Sequence, residues 1–257
     1  MGMTKAQLLG SQTAKGGFEN ERDIVAKFNN WRVDVDAQKW LILMDYKLDE
    51  IESVKAVILR NYKADINVQI KIKLKTALDV ENIQAKLVSN SRGFNQVDKR
   101  PVDAFNDVLT WNIPASVVST LKRFTGELGP SISNPRDKRR MFIDEFSDEE
   151  RKELFDFLTK NRTMIISDVL RGRGEFAAEW VLVVQKVDDR VRWVLKNINE
   201  VMNHYDGEVK MSPRGSINIG KILIQRKGGT PDPTSLQFKI NASDNNQFQY
   251  GLKYRTC

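Results

Sequence analysis

Tyr62-Lys-Ala-Asp-Ile-Asn-Val-Gln-Ile-Lys-Ile-Lys-Leu74, followed after a short connection by Asn82-Ile-Gln-Ala-Lys-Leu-Val88, is the stretch from which the fold is read. Its first part alternates strictly. Ile66, Val68, Ile70, Ile72 and Leu74 point one way, and Asp65, Asn67, Gln69, Lys71 and Lys73 the other, which is the period of a half-buried strand. The second part sets Ile83, Ala85 and Leu87 against Gln84 and Lys86. If the two strands pair, Asp65, Gln84 and Lys86 share a face. The connection from Lys75 to Glu81 can hold a turn in several places, so the register stays open at this level.

The pattern resembles the active site of the PD-(D/E)XK nucleases, where an Asp opens one strand of a hairpin and an acid-x-Lys pair sits on the next. Here an amide replaces the acid, giving Asp65…Gln84-Ala85-Lys86. Phosphodiester hydrolysis needs a hard divalent cation on oxygen ligands to neutralise charge developing on the phosphate. The resemblance implies Asp65 as the charged ligand, with the Gln84 side-chain oxygen and the Ala85 carbonyl completing the set. Lys86 then acts on the attacking water and balances phosphate charge. Two amphipathic strands with a wet face would give the same periodicity without chemistry.

Composition sets the outer bounds. The 257 residues suffice for one large domain with a sizeable core, and a formal net charge of +7 favours a polyanionic partner. One Cys (Cys257) and one His (His204) exclude an intrachain disulfide, a cysteine zinc site and a paired-histidine metal site. The longest apolar runs, such as Trp40 to Met44, are too short to span a bilayer, so a soluble, cytoplasmic protein is expected.

Outward from the central stretch, residues 1 to 16 read as a flexible, polar approach whose Lys15 suits a phosphate backbone. Phe18 to Trp31 has the stripe of a helix (Phe18, Ile24, Val25, Phe28, Trp31), and Glu21 falls on its buried side, where a carboxylate calls for a cation. Asp36–Tyr46 and Leu48–Leu59 read as helical at their starts. After Lys86, Ser89, Arg92, Asn95 and Gln96 are base or phosphate readers by type, and Phe94 is a candidate wedge between base steps or an ordinary core contact. Residues 101–166 read as a helical lobe, with a capping box at Ser147 to Glu150. Arg136-Asp-Lys-Arg-Arg140 is a solvated face or a phosphate contact. Arg173 lies in a basic glycine turn, and Glu175 and Glu179 beside it lack the spacing of metal ligands. Met211 to Gly229 reads as one strand between two basic turns. Its Arg214, Ser216, Asn218, Gln225, Arg226 and Lys227 suit a groove, or guard an edge. The tail after Asn241 is polar and expected to fray.

Together these segments resemble the small type II restriction endonucleases of Haemophilus type that cut within GCGC. The likeness runs through Gly16-Gly-Phe-Glu-Asn-Glu21, Ala64-Asp-Ile-Asn-Val-Gln69, Asn82-Ile-Gln-Ala-Lys-Leu-Val-Ser-Asn90, Arg92-Gly-Phe-Asn-Gln96, Asp137-Lys-Arg-Arg-Met-Phe142, Leu170-Arg-Gly-Arg-Gly174, Ser212-Pro-Arg-Gly-Ser-Ile-Asn218 and Ile224-Gln-Arg-Lys-Gly-Gly229. It covers the chain almost to Ile240 and includes the Gln-x-Lys variant. It implies an α/β fold, restriction-endonuclease-like, with a central mixed β-sheet flanked by helices in one nuclease domain. It further implies a Mg2+-dependent double-strand cut at a short palindrome in double-stranded DNA, with Glu21 assisting the metal from its helix and stretches 89–100 and 212–229 reading the duplex. A second copy of the chain is left open as a partner. The rivals are a catalytically silent DNA-binding protein and a repair or junction nuclease of the same superfamily.

Overall fold

The structure, a computed structural model, describes residues 5–59, 67–89, 94–187, 190–228 and 234–242, with side chains from residue 15 onward except at 67 and 190. In chain order come helices α1 (Lys5–Asn29) and α2 (Val35–Leu43), then strands β1 (Ile51–Leu59), β2 (Asn67–Leu74), β3 (Leu78–Val88) and β4 (Phe94–Arg100). Helices α3 (Asp103–Asp107), α4 (Ala115–Thr125), α5 (Asp148–Lys160) and α6 (Arg162–Leu170) follow. After them lie β5 (Trp180–Val187), β6 (Arg190–Asn197), α7 (Ile198–Tyr205), β7 (Val209–Met211), β8 (Ile217–Ile219), β9 (Ile222–Arg226) and β10 (Leu236–Asn241). They form two compact units, one from residues up to Asn95 with Arg171–Val201, the other from Gln96–Leu170 with Met202–Asn241.

The first unit holds a mixed sheet in the order β1-β2-β3-β5-β6. β3 is its centre, antiparallel to β2 and parallel to β5. Val68 stands opposite Ile83 and Asn67 opposite Gln84, so the polar set of one strand meets the polar set of the next, as the alternation requires. Asp65 lies outside the described residues. On the apolar face, Val68, Ile70, Ile83 and Ala85 join Ile24 and Phe28 of α1, Trp40 and Leu41 of α2, and Leu182 and Trp193 in one core. Phe28 and Trp193 pack on Trp40 with ring centroids at 5.1 and 5.5 Å. Each large side chain buried in this way contributes about 1.5–3 kcal/mol.

Two elements differ from expectation here. α1 starts at Lys5, so the polar approach is itself helical. Glycine costs a helix about 1 kcal/mol relative to alanine, and Gly16 lies where α1 meets β3, with a Cβ there 3.3 Å from Leu87 Cδ2. The segment from Leu48 is helical only over the single 3-10 turn Leu48–Glu50 and is then strand β1. Its Val54, Val57 and Ile58 are β-branched, and the ladder to β2 outweighs the helical spacing.

The second unit holds a sheet in the order β4-β10-β9-β8-β7 and the helices expected between 101 and 166, with α6 in addition. Ser147 and Glu150 form the capping box read from the sequence. Phe105, Trp111 and Phe238 make an aromatic core, Phe105 and Trp111 stacked at 4.5 Å and both edge-on to Phe238. The stretch read as one strand from Met211 to Gly229 is broken into β8 and β9 at Gly220. That residue has φ +53°, and a Cβ on it would come within 2.4 Å of the Tyr205 carbonyl oxygen. The tail beyond Ala242 lies outside the described residues.

Candidate active site and DNA-reading face

Gln84 and Lys86 sit in the middle of β3 and are only 5 % and 6 % exposed. They alternate with Ile83 and Ala85, whose side chains enter the core under α1, so both turn to the opposite face. Their cross-strand neighbours on β5 are Val181 and Val183. An aliphatic flank of this kind lowers the local dielectric and strengthens whatever field the lysine exerts.

Asn82 anchors the start of this segment. Its backbone N–H donates to Glu179 Oε2 at 2.6 Å, and its side-chain amide donates to the carbonyls of Glu175 and Ala177 at 2.9 and 3.2 Å. Gln69 of β2 donates to Asn82 Oδ1 at 3.2 Å. The Glu179 carboxylate is thus a structural acceptor. Sequence reading set it aside as a metal ligand and missed this use, because the contact spans 97 residues.

Glu21 is 5 % exposed on the side of α1 that carries Ile24 and Phe28 into the core. Gln84, Ala85 and Lys86 follow one another on β3, and Glu21 lies on α1, which packs against that strand. Among the described residues, no group of three His, Cys, Asp or Glu side chains could hold a metal ion. The oxygens at hand on β3 are the Gln84 amide and the Ala85 carbonyl. Both are hard, neutral donors of the type that Mg2+ accepts, and they fit such an ion once a carboxylate is added.

The residues read as DNA contacts divide by exposure. Lys15 on α1, Ser89 after β3, Arg173 before β5 and Arg214 before β8 are exposed, and Phe94 at the start of β4 is 53 % exposed. Gln96, Ser216, Asn218, Gln225 and Lys227 are half-buried. Arg92 lies outside the described residues. The Asn95 side chain donates to the Leu87 carbonyl at 2.8 Å, so its amide ties β4 to β3. Arg226 is 11 % exposed with its guanidinium 3.9 Å from Asp137.

Register collects several of these on one face of the second sheet. Gln225 stands opposite Gln237, and Asn218 and Lys239 each stand opposite Leu223, while Ile217, Ile219, Ile224 and Phe238 fill the other face. Gln237 and Lys239 are the polar members that sequence reading missed. The signal was there, since Leu236-Gln-Phe-Lys-Ile240 alternates as cleanly as β2. Burial, with Lys227 nearby, pulls the Lys239 ammonium below the usual lysine range, a setting that an incoming phosphate would relieve. The Arg136–Arg140 cluster is partly neutralised by neighbouring carboxylates. Asp137 pairs with Arg139 and Arg140, Arg136 pairs with Asp144, and both Arg136 and Arg140 stack over Phe142.

The chain has relatives with this architecture. It is similar to the restriction endonuclease MspI, whose crystal structure was solved in complex with its cognate DNA. The TM-score is 0.61 at 15 % sequence identity, over 92 % of this chain and 93 % of that one, a likeness of fold. Comparison with curated proteins gave no match. The family model of the R.HinP1I restriction endonuclease matches residues 44–245, which takes in β1 to β10 but not α1 with Lys15 and Glu21. Restriction endonucleases generally use divalent metal ions. On this match the chain belongs to the R.HinP1I restriction endonuclease family and is a type II site-specific deoxyribonuclease.

Proposed function

We propose that this endonuclease makes Mg2+-dependent double-strand cuts at a short palindrome, GCGC. The burial of Gln84 and Lys86 on one face of the central strand, with β2 paired to that strand as far as Gln84, carries this reading. Asp65, the Gln84 oxygen and the Ala85 carbonyl would hold the ion. When bound, the ion supplies charge neutralisation at the scissile phosphate and acidifies water. Lys86 holds the attacking water and offsets phosphate charge from a low-dielectric wall. Glu21 assists from α1. The exposed Lys15, Ser89, Arg173 and Arg214, with Arg92, contact backbone, and Phe94 wedges between base steps. Asn218, Gln225, Lys227 and Gln96 meet the duplex from the second sheet. A two-fold symmetric site suits two copies of the chain related by a two-fold axis.

The test is a digest of unmethylated plasmid of known sequence with Mg2+, with EDTA, and with Asp65→Ala beside the wild type. Discrete Mg2+-dependent fragments ending at GCGC, absent from the variant, are expected. Fragments ending elsewhere overturn the specificity and leave the enzyme. Cutting that survives EDTA or the substitution overturns the assigned chemistry.

A further inference from the structure

Three glutamines form a hydrogen-bonded row on the polar face of the second sheet. Gln225 Nε2 donates to Gln237 Oε1 at 3.0 Å, and Gln237 Nε2 donates to Gln96 Oε1 at 2.6 Å. The middle member is 6 % exposed and stands directly opposite Gln225 in the β9–β10 ladder. A primary amide is a donor at one end and an acceptor at the other. With both ends of Gln237 engaged, direction propagates along the row. Gln225 turns its NH2 towards Gln237 and its carbonyl away. Gln96 turns its carbonyl towards Gln237 and its NH2 away. Flipping one amide alone would set two like groups against each other and leave buried polar groups unsatisfied.

We propose that Gln237 is a specificity-positioning residue that holds Gln225 as a hydrogen-bond acceptor and Gln96 as a donor towards DNA. The proposal rests on the reading above that this face meets the duplex. A glutamine that is free to rotate offers both ends and binds adenine in bidentate fashion through N6 and N7. A glutamine held at one end offers only the other. An outward acceptor suits the cytosine N4 amine, and an outward donor suits guanine O6 or N7, so the held row favours G·C pairs in the major groove. Gln237 itself need touch no base.

Two substitutions separate this role from packing. In Gln237→Leu both restraints vanish. In Gln237→Glu the carboxylate still accepts from Gln225 but cannot donate to Gln96, whose amide must reverse. The measurement is kcat/KM on duplexes bearing the cognate site and each single base-pair change, with circular dichroism as the check on folding. For Gln237→Leu, the preference for cognate over changed sites is expected to fall about tenfold or more at two positions per half-site. For Gln237→Glu it is expected to fall at one of those two only. Side-chain amide NMR signals of the DNA-free protein give a second readout. Slowly exchanging Gln225 and Gln237 NH2 groups are expected in the wild type, and the protection at Gln225 is expected to be lost in Gln237→Leu. Unchanged discrimination in both variants overturns the proposal, whatever their stability. Ordered amides in a wild type that makes no site-specific cut would instead overturn the reading of function, and with it the base-reading role of the row.

Discussion

The backbone N–H of Asn82 donates to Glu179 Oε2 at 2.6 Å, two residues ahead of Gln84 on β3. Replacing Glu179 with Ala leaves that N–H without its acceptor, and an unsatisfied buried donor costs about 1–3 kcal/mol. Urea unfolding is expected to register this loss, and Glu179→Gln, which keeps an acceptor oxygen, should lose less. Equal losses in the two variants would sink the assignment of a specific acceptor.

On the proposed reading, Lys86 and Gln84 separate chemistry from binding. Lys86→Ala is expected to slow single-turnover cleavage by about 10²–10⁴, the range for a lost proton-handling group, with duplex affinity held within a few-fold. Gln84→Glu restores a charged ligand, so the midpoint of Mg2+ activation should move to lower concentration. A Lys86→Ala enzyme of near-normal rate would remove the lysine from the mechanism.

Asp137 provides a pH signature. The hydrogen-bonded Arg139 guanidinium holds its carboxyl down to about 2, below the ordinary aspartate value of 3.8. A carboxyl depressed in the folded state stabilises fully above the unfolded value, and that contribution disappears as pH falls through the folded one. Asp137→Asn is therefore expected to lower the thermal midpoint at neutral pH, and the gap to wild type should narrow as pH drops from 3.8 towards 2. A gap that widens on acidification would contradict the ion-pair origin.

If the polar face of the second sheet meets the duplex as proposed, Lys239 on that face is placed to contact phosphate. Lys239→Ala should weaken binding to all duplexes alike and reduce the slope of log affinity against log salt by about 1. A sequence-selective loss with an unchanged slope would place Lys239 at a base instead.

The parts of this fold that could be read from the sequence were those with a local cause. Strict alternation marked β2 and β3, and the Ser147–Glu150 box marked the start of α5. The break at Gly220 was hidden, because the close approach of the Tyr205 carbonyl comes from another element. The same holds for Gln69, Asn82 and Glu179, which belong to one hydrogen-bonded set only after β2, β3 and the approach to β5 have come together. In the candidate site, Gln84 and Lys86 were identifiable from residue type and period. Gln237 was not, since its part depends on partners 12 and 141 residues away.

The position of β3 has a consequence for when the molecule can lose its chemistry. Ile83 and Gln84 are paired to β2 on one side and to β5 on the other, and amides held in this way exchange with solvent only through large cooperative openings of the unit. Gln84 is therefore expected to be among the slowest-exchanging residues of the first unit, and warming should not fray it ahead of global unfolding. A nuclease built in this way is expected to pass on warming from intact to inert without dwelling in a loosened, less discriminating form.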